Sequence, residues 1–588
     1  MRMLTPWGEK LDRSNVLPEY PRPQMQREQW VNLNGPWAYA ITDRAECPER
    51  FDGEILVPFS PETTLSGVEK TLQPGQFLWY RRRFADTRQK PGERTLLHFG
   101  AVDQCAEVFV NGASVGSHEG GYLPFTLDIT DYLKEENELT LRVTDGTDSS
   151  YFARGKQKTK RGGIWYTPQS GIWQTVWMEN VPKDFISGLT ITPLFDEKRL
   201  SVTVHSAASL PCTVTAAGVM GTGMTNLPVV LPVPDCLPWS PEQPELYDLT
   251  ALMGGDCVVS YFAMRKFSVG KDGAGVPVLM LNNEPYFHNG VLDQGYWPDG
   301  LYTAPSDEAM VYDIQLMKDM GFNMLRKHIK VEPLRWYYHC DRLGMLVWQD
   351  MINGGGAYKF LTITTPVFTG AKWDDHAYRR FAREDPEGRE QYRRELMEML
   401  HHLYNCPCIA MWVPFNEGWG QFEAAETAEA VRAVDPTRTI DHASGWHDQG
   451  AGDVKSLHVY FKPYRFKADA LGRPVALTEF GGYARRIEGH CWSPKLFGYK
   501  ILPDEAALTE AYRRLYENEI YPAIRQGLAA TVYTQVSDVE DEVNGFVTYD
   551  RKEVKLPVEK VRKVNEGLHE AAREPRLGTK ADRKGVRI

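Results

Sequence analysis

Two glutamates, each at the end of an apolar run, are the residues of this chain best placed to do chemistry. Asn416 and Glu417 directly follow the apolar run 408–415, and Glu479 ends the run 474–478. The two glutamates are 62 residues apart in the chain (479 − 417). Two carboxyl groups at strand ends suit glycoside hydrolysis, in which one protonates the leaving oxygen and the other faces the anomeric carbon.

The elements around these glutamates alternate between strand and helix from residue 276 onward. Strands are predicted at 285–291, 322–329, 345–351, 408–415, 439–443, 456–460, 475–480 and 529–536. A helix is predicted at 307–320 with Ser306 as its cap, and another one lies between the third and fourth strands. Eight strands alternating with helices over about 300 residues predict a (β/α)8 TIM barrel, whose active site lies at the carboxyl ends of the strands.

Most of the predicted barrel strands end in a polar residue, and these residues form the candidate site. Besides the two catalytic glutamates, the substrate-binding candidates are Asn416, Tyr460, Asp350, His458, Arg326, His328, Trp446, Gln535 and Asp538. Asp293 ends the first strand in the same way. Each of these residues alone is more often an ordinary loop residue. Their joint occurrence at one face of a barrel favours a substrate pocket.

The chain before the barrel is predicted to contain two β domains. Residues 1–182 contain short strands and turn signals, including the hairpin signal Asn111-Gly112, and predict a jelly-roll sandwich. Residues 183–272 predict a smaller immunoglobulin-like sandwich, and residues 273–588 form the barrel domain. The basic tail from about residue 573 is predicted to be a loose end.

Composition narrows the class of protein. A formal net charge of −11 argues against nucleic acid and anionic membranes as partners. The amino terminus has no signal-like apolar segment, and no window approaches the roughly 18 apolar residues of a membrane span. The nine scattered cysteines are typical of reduced thiols, with Cys406 and Cys408 interpreted as packing residues. We therefore expect a cytoplasmic protein. No local ligand run of the calcium or zinc kind occurs in the sequence, so no metal or cofactor is predicted.

Several of these motifs resemble those of glycoside hydrolase family 2, which contains β-galactosidases, β-glucuronidases and β-mannosidases. Asn416-Glu417 with Trp419 resembles the family's acid/base motif, and Thr478-Glu479-Phe480-Gly481 resembles its nucleophile motif. The stretch 120–125 is similar to the family's sugar-binding domain, and 239–265 is similar to its linking sandwich. Because the chain ends with the barrel, it resembles the shorter, three-domain members.

The resemblance implies a role for each central residue. Glu417 would be the general acid and then the general base, and Glu479 the nucleophile of a retaining exo-β-glycosidase. Asn416 would contact the sugar 2-hydroxyl, Tyr460 would stand beside the nucleophile, and Arg326 would keep Glu479 ionised. Apolar neighbours, for which Phe415, Trp412 and Trp419 are the candidates, would raise the pKa of Glu417.

Two segments depart from the family pattern. Family members commonly show Arg-x-x-His after the second strand, whereas His328 follows Arg326 one place earlier, so either the strand end is bulged or His328 has another role. The loop 163–173 resembles the one that reaches the active site, where relatives often carry an aspartate. This chain offers Trp165, Tyr166 and Gln169 there instead.

The sugar is predicted from the stretch after the eighth strand. Uronate-binding members carry Asn-x-Lys, but here Asn544 is followed two places later by Phe546, and three carboxylates precede it at 540–542. Acidic residues near the sugar would repel a uronate, which favours a β-galactosidase, unless 540–542 form a solvated loop. A β-hexuronidase (β-glucuronidase or β-galacturonidase) is the alternative, with Lys327, Lys330 or Arg551 as the cation.

The expected partner is a small-molecule or oligosaccharide β-glycoside, and a homo-oligomer is compatible with the sequence. A carbohydrate-binding protein without activity is the alternative from another class. It is disfavoured because binding alone does not need a proton donor placed opposite a nucleophile.

Overall fold

Eight parallel strands form the sheet that carries the two glutamates. In hydrogen-bonded order they are Thr439–Ile440, Ile409–Val413, Leu346–Asp350, Met324–Lys327, His288–Asp293, Leu528–Thr534, Val475–Gly481 and Lys455–Val459. In chain order this is 5-4-3-2-1-8-7-6, the circular order of a (β/α)8 barrel with its ladder interrupted between the fifth and sixth strands. The predicted barrel is confirmed, and each strand lies within a few residues of its predicted position.

Helices connect these strands and cover the barrel. They are Asp307–Asp319, Leu334–Leu343, Phe360–Ile363, Thr365–Thr369, Pro386–Leu403, Ala424–Val434, Glu505–Leu515, the π-helical turn Tyr516–Ile520, Tyr521–Gln526 and Val558–Arg573. The first helix begins as predicted, because the Ser306 side chain accepts a hydrogen bond from the backbone N–H of Ala309. In the helix before the fourth strand, Tyr392, Leu396 and Met399 are buried on one face, so an amphipathic sequence covers the strands beneath it.

Two antiparallel sheets form the amino-terminal sandwich. One sheet contains, in order, Gly53–Val57, Gly35–Thr42, Phe77–Ala85, Glu136–Thr144, Cys105–Val110 and Ala113–Glu119. The other contains Trp30–Asn32, Val176–Val181, Arg94–Phe99 and Phe125–Asp128, and a short pair joins Val102–Asp103 to Gly171–Ile172. The predicted Asn111-Gly112 hairpin is present, with φ values of 54° and 83°, which a two-residue turn between right-twisted strands requires.

A second, smaller sandwich links this domain to the barrel. Its sheets are Gly188–Leu194, Arg199–His205 and Pro228–Pro232, and Val219–Met224, Pro211–Ala216, Tyr247–Met253 and Asp256–Phe262. A three-stranded sheet, Phe267–Lys271, Pro277–Leu281 and Glu284–Pro285, precedes the barrel, and a two-stranded one, Tyr483–Ala484 and Lys500–Ile501, follows its seventh strand. Short 3-10 turns occur at Gly8–Lys10, Thr130–Tyr132 and Phe195–Glu197.

Each sandwich has its own hydrophobic core, but both also contribute to the core of the barrel. Tyr122, Tyr166 and Trp173 of the first sandwich, and Trp239 of the second, lie in the same apolar cluster as the barrel strands. This shared packing holds the loops of the first sandwich against the barrel. The predicted domain boundaries after residues 182 and 272 stay a prediction.

This computed structural model describes residues 3–574. The predicted loose tail from about residue 573 lies almost entirely outside the described residues. Within the described part, no helix is long and apolar enough to cross a bilayer. Cys406 and Cys408 are both buried and neither forms a disulfide bond, in keeping with their interpretation as packing residues.

Candidate active site

The fourth and seventh barrel strands bring Glu417 and Glu479 to the same end of the barrel. The fourth strand ends at Val413, and the chain turns sharply at Glu417, whose φ of 49° lies in the left-handed region. A side chain with a Cβ rarely adopts this conformation, and where it occurs it commonly marks a functional position. Gly418 continues the turn with a φ of 72°, where an added Cβ would lie 2.6 Å from the His447 ring.

The two glutamates lie close together around His458. Carboxylate oxygens of Glu417 and Glu479 and a ring nitrogen of His458 all lie within 4.8 Å of one another. Nδ1 of His458 is 2.7 Å from Oε1 of Glu417 and 3.4 Å from Oε2 of Glu479. Nε2 is 3.5 Å from an Arg326 nitrogen, which only donates, so Nδ1 carries the ring proton and donates to Glu417. Burial lowers the pKa of His458 to about 4, so the ring is neutral at pH 7.

Glu479 is held by two donors that favour its ionised form. Arg326 donates from Nη1 to Oε1 over 3.2 Å, and Tyr460 donates from its hydroxyl to Oε2 over 2.6 Å. Burial and the Glu417 charge raise the pKa of Glu479 above its ordinary value, and Arg326 and the Tyr460 hydroxyl oppose this rise. Tyr460 itself is fixed by a 2.9 Å contact with Thr534 and by stacking on Tyr499, with ring centroids 3.6 Å apart. These two donors therefore fix the Glu479 carboxylate and favour its charged form against the effect of burial.

Glu417 lacks such compensation and keeps its proton more readily. Burial raises its pKa to about 7, the Glu542 charge adds to this rise, and Lys156 and Arg326 oppose it. The two carboxyl groups titrate as a pair. Since Arg326 and Tyr460 donate directly to Glu479, the shared negative charge belongs mainly to Glu479 and the proton to Glu417.

Arg326 also organises the polar floor beside the pair. Its Nε and Nη2 donate to the two oxygens of Asp350, both over 3.0 Å, and Nη2 donates to Oδ1 of Asn416 over 2.7 Å. This contact fixes the amide orientation of Asn416, because a guanidinium only donates. The buried Nδ2 of Asn416 then has no hydrogen-bond partner among the described residues, and an N–H donor is left for a ligand oxygen.

His328 contacts Asp350 and not the glutamates. Its Nδ1 lies 2.8 Å from Oδ2 of Asp350, and its ring meets Trp419 edge-on at 6.0 Å. The second strand pairs regularly with both neighbours, so the bulge suggested by the sequence is wrong. The chain instead turns one residue later, where Ile329 has a φ of 45°.

Trp446 lies at the site, whereas Gln535 and Asp538 do not contact the glutamates. The indole N–H of Trp446 donates to the Glu417 carbonyl, and its ring meets His458 edge-on at 5.4 Å. Gln535 donates to Asn544 and accepts from Gln294. Asp538 accepts from Lys555 over 2.7 Å and from the Gly545 N–H. These two side chains therefore hold the turn after the eighth strand together.

Of the three apolar neighbours expected around Glu417, only Trp419 is placed beside the site. Trp412 points away and donates to Asp435, and Phe415 stacks on Tyr392 of a covering helix. Trp446 takes their place as the aromatic neighbour. The expected burial of Glu417 is therefore present, with a different set of side chains as its cause.

A loop of the amino-terminal sandwich closes one side of the pocket. Trp165 packs on Trp419 with ring centroids 5.1 Å apart, and the Tyr166 hydroxyl donates to Glu542. Gln169 lies away from the glutamates and donates from its backbone N–H to Gln157. The family resemblance predicts the approach of this loop with Trp165 and Tyr166, but no sequence motif marks Lys156. Lys156 lies in the basic run 154–161, a pattern that usually indicates a solvated surface.

The three carboxylates after the eighth strand are buried, so the solvated-loop alternative is wrong. Glu540, Asp541 and Glu542 are 2%, 3% and 2% exposed. Arg161 donates to Glu540 and Asp541 over 3.3 and 3.1 Å, and the Thr167 N–H donates to Glu540. Two of the three negative charges are therefore used to fix the loop of the first sandwich.

The three cations that the sequence suggested for binding a substrate carboxylate form ion pairs with other residues of the protein. Lys327 donates to Asp293 and Glu332, and Lys330 donates to Glu332 and to two carbonyls. Arg551 pairs with Asp313 over 3.0 Å. These three residues form internal ion pairs of the barrel.

Comparison with known proteins identifies two matching family models. Residues 61–182 match the sugar binding domain of the family 2 glycosyl hydrolases, and residues 278–471 match the TIM barrel domain of the same family. Together the two matches cover more than half of the chain.

Relatives and solved structures carry names from both sugar classes. The chain is 28% identical over 421 residues to a putative β-glucuronidase of Formosa agariphila, covering 66% of this chain and 46% of that protein. It is 26% identical over 391 residues to a β-galactosidase of Leuconostoc mesenteroides, covering 60% of this chain and 34% of that protein. The chain thus spans less than half the length of these two curated relatives.

Two solved structures share the fold over nearly their whole length. A β-glucuronidase of an uncultured Clostridium species superposes with a TM-score of 0.70 at 19% identity, covering 93% of this chain and 99% of that one. A β-galacturonidase of Eisenbergiella tayi superposes with a TM-score of 0.69 at 20% identity, covering 93% and 98%.

Proposed function

Because the chain belongs to glycoside hydrolase family 2, we propose that it is a retaining exo-β-glycosidase with Glu479 as nucleophile and Glu417 as acid/base. The observation that carries this proposal is the separation of the two carboxyl groups, whose oxygens approach within 4.8 Å. Retaining enzymes hold their carboxyl groups about 5–5.5 Å apart, whereas inverting enzymes need roughly 6.5–9.5 Å to admit a water. The short separation favours direct attack by a carboxylate.

In the first step, the Glu479 carboxylate attacks the anomeric carbon as the bond to the leaving oxygen breaks. Glu417, protonated because burial raises its pKa to about 7, gives its proton to that oxygen. The product of this step is a glycosyl ester on Glu479 and a free alcohol. The free Nδ2 of Asn416 is available to the sugar 2-hydroxyl, a contact that strengthens in the transition state.

In the second step, the roles of Glu417 reverse. Its carboxylate takes a proton from water, the water oxygen attacks the anomeric carbon, and Glu479 leaves as a carboxylate. Arg326 and Tyr460 stabilise Glu479 as it regains its charge, since both donate to its oxygens. Side chains and water account for both steps.

The geometry also bears on the carbohydrate-binding alternative. A binding protein gains nothing from a carboxyl group with a raised pKa placed against an ionised one, because the pairing costs free energy without adding affinity. Acid catalysis with a nucleophile requires this arrangement, which disfavours the alternative of a protein that only binds carbohydrate.

The identity of the sugar depends on charges at the pocket wall. Free carboxylates at 540–542 would favour a β-galactoside, but Glu540 and Asp541 share an ion pair with Arg161, whose single positive charge offsets one of their two negative charges. Glu542 still faces the pocket and would accept hydrogen bonds from the hydroxyls of a neutral sugar. Lys156, at 4.0 Å from Glu542, brings a positive charge to the same wall and favours a uronide.

The test is a panel of nitrophenyl and methyl β-glycosides assayed with the wild type and with Glu479→Ala and Glu417→Ala. Glu479→Ala should lose about 10⁴-fold or more in kcat on every substrate, and azide should restore turnover to an α-glycosyl azide. Glu417→Ala should lose far more activity on methyl than on nitrophenyl glycosides, which need little protonation. Glu390→Ala, on an exposed helix surface, serves as the control. Full activity of Glu417→Ala on methyl glycosides would show that the roles are assigned wrongly.

A further inference from the structure

Lys156 belongs to the first sandwich, but its side chain reaches the substrate pocket of the barrel. It is 5% exposed, and its Nζ lies 5.4 Å from the ring centroid of Tyr166 and 5.8 Å from that of Trp419. After burial, its charge is the largest contribution to the pKa shifts of Glu417 and His328. The ammonium therefore lies beside Trp419, which is two residues beyond Glu417 in the chain.

This ammonium has no hydrogen-bond partner within residues 3–574. Its ionic neighbour there is Glu542, at 4.0 Å, which is too far for a hydrogen bond. Glu542 already accepts the hydroxyl of Tyr166 and a 3.4 Å contact from Asn544. The N–H donors of Nζ are therefore available to a ligand that supplies acceptors, and the aromatic surroundings make such a contact stronger here than at a solvated lysine.

Other buried lysines of the barrel differ from Lys156 in this respect. Lys327, Lys330 and Lys555 are fully buried, and each donates at least two hydrogen bonds of 2.6–2.8 Å to carboxylates or carbonyls. Their bonding shows that the fold satisfies an ammonium where its role is structural. Lys156 is left with open donors beside Trp419 and Tyr166.

We propose that Lys156 binds the carboxylate of a hexuronate and makes the pocket selective for β-hexuronides. This inference rests on the proposed glycosidase function and names its substrate class. A compact ammonium recognises a carboxylate as a point charge, and the attraction is strong where water is excluded. The burial of Lys156 against Tyr166 and Trp419 places its charge inside the protein beside the proposed active site, not on the exposed rim.

The competing explanation is that Lys156 only anchors its loop to Glu542. That role would affect all substrates alike, because it would act through the position of Tyr166 and Trp165. Substrate selectivity therefore separates the two explanations, since only a direct contact with the carboxylate discriminates between a uronide and the matching neutral sugar.

The experiment compares kcat/KM for nitrophenyl β-glucuronide, β-galacturonide, β-glucoside and β-galactoside. We expect the wild type to prefer one of the uronides over its neutral counterpart. Lys156→Met should lower kcat/KM on that uronide about 10- to 150-fold, which corresponds to the loss of a hydrogen bond to a charged group. The same substitution should lower kcat/KM on the neutral substrate less than about threefold. Lys156→Arg should keep part of the uronide activity. Lys160→Met is the matched control, since Lys160 is an exposed lysine of the same loop.

Inhibition of the wild type gives a second measurement that needs no variant. Free glucuronate or galacturonate should inhibit more strongly than glucose or galactose at the same pH and ionic strength. Faster wild-type turnover of a galactoside or glucoside, equal losses on both substrate classes in Lys156→Met, or stronger inhibition by the neutral sugars would each overturn the inference. The absence of turnover on every β-glycoside would instead contradict the proposed function itself.

Discussion

The hydroxyl of Tyr460 donates a 2.6 Å hydrogen bond to Oε2 of Glu479. Tyr460 lies one residue beyond the sixth barrel strand, and Glu479 lies within the seventh, so the contact depends on the pairing of two neighbouring parallel strands. Stacking on Tyr499 and a contact with Thr534 hold the phenol in place. The pairing of the two strands thus places a donor that stabilises the ionised form of the proposed nucleophile.

Removing this hydroxyl should weaken catalysis without disturbing the fold. Tyr460→Phe keeps the stacked ring but deletes a hydrogen bond to a charged group, worth about 1.5–3 kcal/mol. We expect kcat to fall about 10- to 150-fold with little change in Tm. Steady-state kinetics together with thermal unfolding measures both, and an unchanged kcat would mean that the hydroxyl does not serve the nucleophile.

The pKa of Glu417 predicts the alkaline side of the pH profile. Burial raises this pKa to about 7, and the general acid must be protonated, so kcat/KM should fall as the pH rises through about 7. Glu417→Gln should lose this limb on nitrophenyl substrates, whose leaving groups need no proton. If the limb persists in Glu417→Gln, another group is the acid.

Lys156 and Glu542 should shift that limb in opposite directions. The Lys156 charge lowers the pKa of Glu417 and the Glu542 charge raises it, so Lys156→Met should move the limb to higher pH and Glu542→Gln to lower pH. The profile of kcat/KM against pH on a methyl glycoside measures this, with Lys160→Met as the control that leaves it unmoved. Shifts in the same direction would contradict the placement of this pair beside Glu417.

Arg438 offers a test of stability far from the pocket. The guanidinium is fully buried and donates to Asp435 over 2.6 Å and to three carbonyls. Although burial raises the pKa of Asp435, the Arg438 charge contributes to lowering it to about 2. Arg438→Met removes the cation paired with this buried carboxylate, which keeps only its hydrogen bonds from Trp412 and Thr437 and the more distant Arg265 charge, and should cost about 3–5 kcal/mol.

Calorimetry of the full chain checks this loss. Because the native pKa of Asp435 lies below its ordinary value, its stabilisation is complete above that ordinary value and is lost as the pH falls towards 2. The difference in the free energy of unfolding between wild type and variant should therefore be largest near neutral pH and smaller in acid. Arg379→Met, which removes an exposed and weakly paired arginine, is the control and should leave the Tm nearly unchanged.

The barrel, and the strand ends that carry Glu417 and Glu479, were predictable because local patterns specify them. The fourth strand is an apolar run buried on every residue, and Asn416 and Glu417 follow it in the chain. Such runs identify a parallel strand, and the strand end identifies the face of the barrel. The same rule predicts the positions of Arg326, Asp350 and His458, which lie at or near the ends of their strands.

Residues beyond the last strand were not predictable in this way. Gln535 and Asp538 follow the eighth strand just as Tyr460 follows the sixth, but the chain folds back and Lys555 pairs with Asp538. Lys156 is 261 residues from Glu417 in the chain (417 − 156). Its place in the pocket depends on how the first sandwich packs on the barrel, which no local period encodes.

The stereochemistry of hydrolysis tests the central claim most directly, because it reports whether a carboxylate or a water attacks first. Proton NMR of a nitrophenyl β-glycoside, followed from the first turnovers, distinguishes the two anomers of the released sugar before they interconvert. The separation of at most 4.8 Å between Glu417 and Glu479 oxygens predicts that the β-anomer appears first. Initial release of the α-anomer would mean a single displacement by water and would contradict the role of Glu479 as nucleophile.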